Sequence, residues 1–210
     1  MICRTVIVVI LTGLMTIGFA PGLVCAQLLG GMATASVEEV GAQVAGGHVG
    51  ITGDFVSLTG QFRFGVTSSF DMGAKAAFVD FEAPGISSLA LNADGRIQIL
   101  DVFLQDPLDL AFGPEVTYFR AAGVTNWFFG GFAVVSKEFT LSNGKPLAPY
   151  SRLGVRMHKI EVGSVSTSEM DTGVSFGTKY GISGYTSLWG EILIEDAGTG
   201  LYVGAQYQLR

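Results

Sequence analysis

The side chains able to do chemistry are few in this chain. Two histidines, His48 and His158, and two cysteines, Cys3 and Cys25, stand far apart, whereas a zinc site needs three or four His, Cys or carboxylate ligands at short recurring spacings. Both cysteines fall within a leader-like N-terminus, so the exported chain carries no thiol nucleophile, thiolate metal site or disulfide. The abundant glycine never takes the form of a phosphate-binding loop. One grouping suggests hydrolysis: His158 sits near a strand end with Glu161 nearby and Asp171 after the next loop, an arrangement in which a carboxylate could orient a general base. A lone His at a strand end is more often a surface residue, and no Asp pair accompanies it. No catalytic, cofactor or metal site is assigned from the sequence. What remains is a set of charges of both signs that share one parity of alternating segments: Arg63, Asp71, Lys75, Asp109, Glu115, Arg152, Arg156, His158, Lys179 and Glu191.

The elements that carry those charges alternate with period two. Val56, Leu58, Phe62, Phe64 and Val66 face Ser57, Thr59, Gln61, Arg63 and Gly65, the pattern of a strand with one apolar and one polar face. Phe70, Met72, Ala74, Ala76 and Phe78 oppose Asp71, Gly73 and Lys75, and Leu201, Val203, Ala205, Tyr207 and Leu209 oppose Tyr202, Gly204, Gln206 and Gln208. These runs last about 10 to 13 residues, longer than the usual 5 or 6 of soluble sheets and close to the 9 to 11 of a tilted membrane-spanning strand.

Turn-like segments at Thr67-Ser68-Ser69, Gln105-Asp106-Pro107, Ser142 to Lys145 and Ser183-Gly184 recur about 38 residues apart, the length of two long strands with their connections. Aligning them puts Asp109 in the frame of Asp71 and makes Lys75 and Glu191 equivalent inward positions on two strands. The spacing predicts ten strands: Ala42 to Thr52, Phe55 to Val66, Phe70 to Phe81, Ala90 to Leu104, Leu108 to Phe119, Thr125 to Phe139, Ala148 to Glu161, Asp171 to Ile182, Tyr185 to Ile194 and Gly200 to Leu209. Eight is the other even count considered. Gly46-Gly47-His48 predicts a displaced or bulged first strand. Pro114, lacking an N–H, predicts a bulge in its strand. Trp127 to Val135 is apolar on both parities and leaves its face undecided. The remaining connections, from Glu82 to Leu89, Arg120 to Val124, Val162 to Asp171 and Glu195 to Gly198, read as a longer, variable set facing outward, with the turn set facing the periplasm.

Charged residues make up only 14% of the 210 residues and glycine contributes 30, against about 25% charged in an ordinary soluble domain. A net charge of −6 without a Lys/Arg cluster argues against nucleic acid. Past the first two dozen residues no apolar run reaches the length of a spanning helix. Met1 to Ala26 reads as a secretory signal peptide, with Arg4, an apolar core from Val6 to Phe19 and Val24-Cys25-Ala26 before Gln27. An uncleaved anchor and a lipoprotein Cys25 are the alternatives. Residues 27–210 then form one domain.

In hydrocarbon, strands can pair all their backbone groups only by closing into a barrel. The predicted fold is therefore an all-β, closed, antiparallel up-and-down transmembrane barrel. Phe70, Phe81, Phe119, Trp127, Tyr150, Tyr180, Tyr185 and Tyr207 fall toward strand ends and are expected as interfacial girdles. The frames Gly65-Val66-Thr67-Ser68 and Gly181-Ile182-Ser183-Gly184, with the last strand Gly200 to Leu209, resemble the small bacterial outer-membrane β-barrel proteins, a grouping that includes OmpA-like transmembrane, OmpW-like and opacity-type barrels. The resemblance implies outer-membrane lipid as the surroundings and the barrel-assembly machinery as a partner in biogenesis. Members usually end on an aromatic residue, whereas this chain ends on Arg210, which shifts that signal to Tyr207 and Leu209. Some ten-stranded outer-membrane barrels are proteases that use paired Asp residues and an Asp with a His at the rim; this chain shows no such Asp pair. The expected function is a structural barrel, its inward charges paired into a plug, or a narrow small-solute pore. The alternatives are a rim hydrolase and a soluble periplasmic barrel binding a small ligand. Short loops argue against adhesion.

Overall fold

A computed structural model describes residues 29–82, 85–104, 106–195 and 198–209. The predicted signal peptide, with both cysteines, and Arg210 lie outside the described residues. The strands are β1 (Gln43–Thr52), β2 (Phe55–Thr67), β3 (Phe70–Phe81), β4 (Ser87–Leu100), β5 (Asp109–Ala121), β6 (Val124–Ser136), the two-residue β7 (Phe139–Thr140), β8 (Pro146–Val162), β9 (Val165–Gly181), β10 (Thr186–Glu195) and β11 (Gly198–Gln208). Consecutive long strands pair antiparallel, β1 pairs β11, and β6 pairs β8 past the small β7. Each of the ten long strands therefore has two neighbours, and the sheet is a closed barrel.

Closure satisfies the backbone, so the side chains decide which face meets which medium. Leu58, Phe78, Leu89, Leu201 and Val203 are exposed on the outside, while Asp71, Arg96, His158 and Glu191 are buried within. On the described strands the outward charged residues are Asp80, Arg120, Lys159 and Glu161. All four stand toward the end opposite Gln43 and Gln208, here called the far end. The band between carries no outward charge. Trp127, Phe129, Ala133 and Val135 face outward and Phe128, Phe132 and Val134 inward, which resolves the face of β6.

Several expectations are corrected. Phe119 and Tyr150 point into the lumen, and Phe81 packs with Phe119 there, so these three leave the girdle. Trp127, Tyr185 and Tyr207 do face outward: Trp127 stacks on Phe129 and tilts against Tyr118 toward the far end, and Tyr185 lies against Tyr207 at the near end. The first strand is regular, with unbroken register from Val44 to Thr52 against β11. At Pro114 the β4–β5 ladder skips from Asp94↔Glu115 to Ile97↔Phe112 without a register shift; the shift in that ladder lies between Gln98 and Leu100. Val162 to Asp171 is ladder and not loop, because β8 and β9 pair as far as Val162↔Val165. Val102–Leu104 is a short 3-10 helix and not strand. The expected contrast in connection length is not found: besides the tight turn expected at Gly53-Asp54, two-residue turns at Ala122-Gly123 and Gly163-Ser164 close far-end hairpins, while the near end mixes the two-residue Ser68-Ser69 with the longer links from β4 to β5 and from β6 to β8.

Before β1 the chain does not stay outside. Leu29 lies in the far-end cluster of Phe55, Val79, Phe119 and Phe128, whereas Met32 and Ala35 pack with Phe132, Tyr150, Trp189 and Tyr202 deeper in the lumen. At the near end the Gly41 N–H donates to the Gly65 carbonyl at 2.9 Å, and Gly41, with φ of 80°, turns the chain back into β1. A Cβ at Gly65 would run into the Glu39 carbonyl oxygen, so glycine lets the segment pass the wall there. Residues 29–40 thus traverse the barrel from far end to near end.

If lipid solvates the outer band, a charge at its centre is penalised by depth. Val203→Arg, midway along β11, should destabilise the folded barrel by about 2–4 kcal/mol, and Tyr207→Arg near the strand end by about 0–1 kcal/mol, read by urea titration in lipid vesicles. Equal penalties would contradict a band with depth.

Candidate functional site in the barrel lumen

Inward parity brings charged side chains from different strands face to face inside the barrel. Arg63 on β2 donates to Asp71 of β3 at 2.5 Å and also to Asp94 of β4. Arg96 of β4 donates to the other Asp71 oxygen and to the Thr34 carbonyl of the traversing segment. Across the lumen Arg152 of β8 reaches Glu115 of β5 at 2.6 Å and lies 4.1 Å from the centre of the Phe132 ring. Arg156 bridges Asp171 at 3.1 Å and Glu195 at 2.5 Å. Each carboxylate here is nearly or fully shielded from solvent, so its pairing offsets a desolvation cost of several kcal/mol per ion.

The other charges serve the segment. Lys75 donates to the Gly30 carbonyl at 2.5 Å and the Gly31 carbonyl at 3.0 Å. Glu191 accepts the Gly31 N–H at 2.5 Å, the Met32 N–H at 2.8 Å and the Tyr150 hydroxyl at 2.7 Å. Lower down, the Ala35 N–H donates to Ser136 Oγ at 2.9 Å, Ser36 Oγ to Asp109 at 3.0 Å, the Val37 N–H to Gln98 at 3.0 Å and the Glu38 N–H to Asp71 at 2.9 Å. His48 donates from Nε2 to the Leu29 carbonyl at 2.9 Å. A peptide with no repetitive structure of its own thereby exchanges its main-chain hydrogen bonds with wall side chains.

All ten charges singled out from the sequence lie on the inward face. Asp71, Arg63, Arg152, Glu115 and Arg156 meet ionic partners; Lys75, Glu191 and Asp109 hold the segment. Lys179 lies with its Nζ 5.5 Å from the centre of the Trp189 ring. His158 stacks on Phe128 with centroids 4.1 Å apart, its Nε2 2.9 Å from Asn126 Oδ1 and its Nδ1 3.4 Å from Glu169.

The hydrolase grouping does not assemble. Glu161 faces outward, 2.6 Å from Lys159, and Asp171 is bonded to Arg156. Sequence reasoning missed Asp94, Arg96 and Glu195, although Asp94 and Arg96 share the inward parity of Asn92 and oppose Leu91, Ala93, Gly95 and Ile97. It also missed the segment itself, which has no periodicity to reveal it. Among the described residues no group of three or more His, Cys, Asp or Glu side chains is placed to hold a metal ion.

Removing one member of a buried pair should cost more than removing both. Arg152→Ala leaves Glu115 in the lumen and should lower stability by about 3–5 kcal/mol, whereas Arg152→Met with Glu115→Leu should be close to neutral, measured by urea unfolding from vesicles. A double variant as unstable as the single one would mean that the pair contributes through packing alone.

No family model and no curated protein matches the chain. Solved structures do. The beta domain of the Bordetella autotransporter Brka superposes with a TM-score of 0.53 at 11% identity, covering 81% of this chain and 100% of that one. A KdgM porin gives 0.43 at 9%, with 80% and 99% covered. The N-terminal β-barrel domain of Pseudomonas aeruginosa OprF gives 0.39 at 7%, with 82% and 100% covered. Their identities are low enough that the likeness concerns fold. Together with ladder closure, the superposition on the Brka beta domain gives this chain the fold of a closed antiparallel β-barrel.

Proposed function

We propose that this chain is an integral outer-membrane barrel with a structural role, its lumen closed by its own segment 29–40 and by the charge network around it. The carrying observation is the inversion of the two faces. Transferring an exposed Leu or Phe out of water is worth about 1.5–3 kcal/mol, and each buried ion costs several kcal/mol, so both terms run against this arrangement in water and both favour it in lipid. A soluble barrel with a ligand pocket would reverse them. Export through a leader ending at Ala26, a mature domain over residues 27–210 and assembly by the barrel-assembly machinery belong to the same proposal.

The reading of a sealed lumen rather than an open pore is supported by Met32, Ala33, Thr34 and Ala35, all buried within the ring, with wall residues closing around them. The charges named from the sequence then act as a salt-bridged plug and as anchors for the segment. The rim hydrolase finds no support, since Glu161 faces outward to Lys159 and Asp171 is ion-paired with Arg156.

Fractionation should place the protein with outer-membrane lipid, and the folded form should migrate differently before and after boiling. In planar bilayers that inserted form should show no sustained openings. Steady conductance from the unaltered protein would replace the sealed reading with a pore, and recovery in the periplasmic soluble fraction would remove the membrane reading altogether.

A further inference from the structure

Two neighbouring contacts hold the segment in a way that chain connectivity does not require. Lys75 and Glu191, on β3 and β10, grip the same two peptide groups from opposite sides: the lysine takes the carbonyls of Gly30 and Gly31, and the carboxylate takes the N–H groups of Gly31 and Met32. Gly30 and Met32 have φ of 59° and 42°, and the two successive N–H groups converge on one carboxylate as in an anion-binding nest. The side chains of the gripped residues contribute no charge. Recognition therefore reads the main chain, and it reads the absence of side chains. A Cβ at Gly31 would lie 2.8 Å from Glu191 Oε2 and 3.0 Å from Arg152 Nη1; at Gly30 it would lie 3.0 Å from Tyr202 Cδ1 on a backbone that L side chains rarely adopt. Tyr150 orients the carboxylate, and Glu115 holds Arg152 behind it.

We propose that Lys75, Glu191, Tyr150 and Tyr202 form a binding site for a peptide containing a Gly-Gly pair, occupied in cis by Gly30-Gly31. The inference rests on the sealed-barrel reading and adds that the seal is a ligand, which can be displaced and supplied in trans. No bond is made or broken; the site exchanges one set of main-chain hydrogen bonds for another. Its strength lies in charge-assisted bonds to a pair of groups, each of which is worth more than a neutral bond.

The test uses the full chain with Gly30→Val and Gly31→Val, which should expel the segment. Expulsion is read as increased reaction of a water-soluble thiol reagent at an added Ala35→Cys substitution, located by mass spectrometry; in the unaltered background that position, 0% exposed, should be protected. The folded variant should bind a labelled synthetic peptide of residues 29–38 by fluorescence polarisation. The same peptide with both glycines changed to valine should bind about tenfold more weakly or worse, as should the natural peptide to a variant that also carries Glu191→Gln. An expelled segment with no peptide binding, or equal binding of the two peptides, overturns the site. Continued protection at Ala35→Cys in the valine variant also overturns it. If the valine variant does not fold, Glu191→Gln alone is scored: an approximately tenfold faster reaction at Ala35→Cys supports the site, and an unchanged rate overturns it. Heat-dependent mobility and vesicle association, scored separately, report failure of the barrel reading itself.

Discussion

The pairing of β6 with β8 closes the ring, and the rest of the molecule depends on that ring being closed. A strand in hydrocarbon has no water to satisfy an unpaired N–H or C=O, and each such group costs several kcal/mol. With Thr125 to Ser136 in register with Tyr150 to Glu161, the sheet has no edge through its apolar outer band. Once the backbone is satisfied, the outer side chains need only be apolar, and the inner ones are free to be charged.

A closed ring of ten strands leaves little room inside, and the contents of that room are the second constraint. Arginine and carboxylate side chains brought out of water must find one another, and neighbouring strands supply the partners: Asp71 lies one strand from Arg63 and one from Arg96. Where wall charges do not pair with each other, the main chain of residues 29–40 takes the place of a counter-charge. Its peptide groups offer both donors and acceptors, so Lys75 and Glu191 can be satisfied by one neutral dipeptide. The apolar residues of the same segment, Leu29 and Met32, pack on inward aromatic rings. Polar anchoring and apolar filling are thus interleaved along one stretch of chain.

Much of this was legible in the residues. Strand limits at Thr52/Phe55 and Ser69/Phe70 follow from turn residues between alternating runs, and they agree with the structure within a residue or two. The inward parity of Asp71, Glu115 and Glu191 follows from the same alternation. Aromatics were misread where position along the strand replaced parity: Phe119 shares the parity of Glu115 and Thr117, and it goes inside with them. The limits of β8 and β9 were misread because Val165 to Met170, rich in Ser and Thr, lacks an apolar face. That stretch runs past β10, which pairs β9 only from Gly173 onward, and its residues are mostly exposed, so alternation has nothing to record.

Period-two alternation, low charge and regular turns by themselves predicted a long-stranded antiparallel barrel and the inward side of the ten named charges, because each is a local property of a pleated strand with two unlike faces. Which charges meet was decided only by the tertiary structure, since partners such as Arg152 and Glu115 lie 37 residues apart in sequence and meet through the curvature of the ring. The course of residues 29–40 was decided there as well. A segment without a repeating pattern carries no local signature of its destination, and its conformation is imposed by the Lys75 and Glu191 groups that receive its peptide bonds.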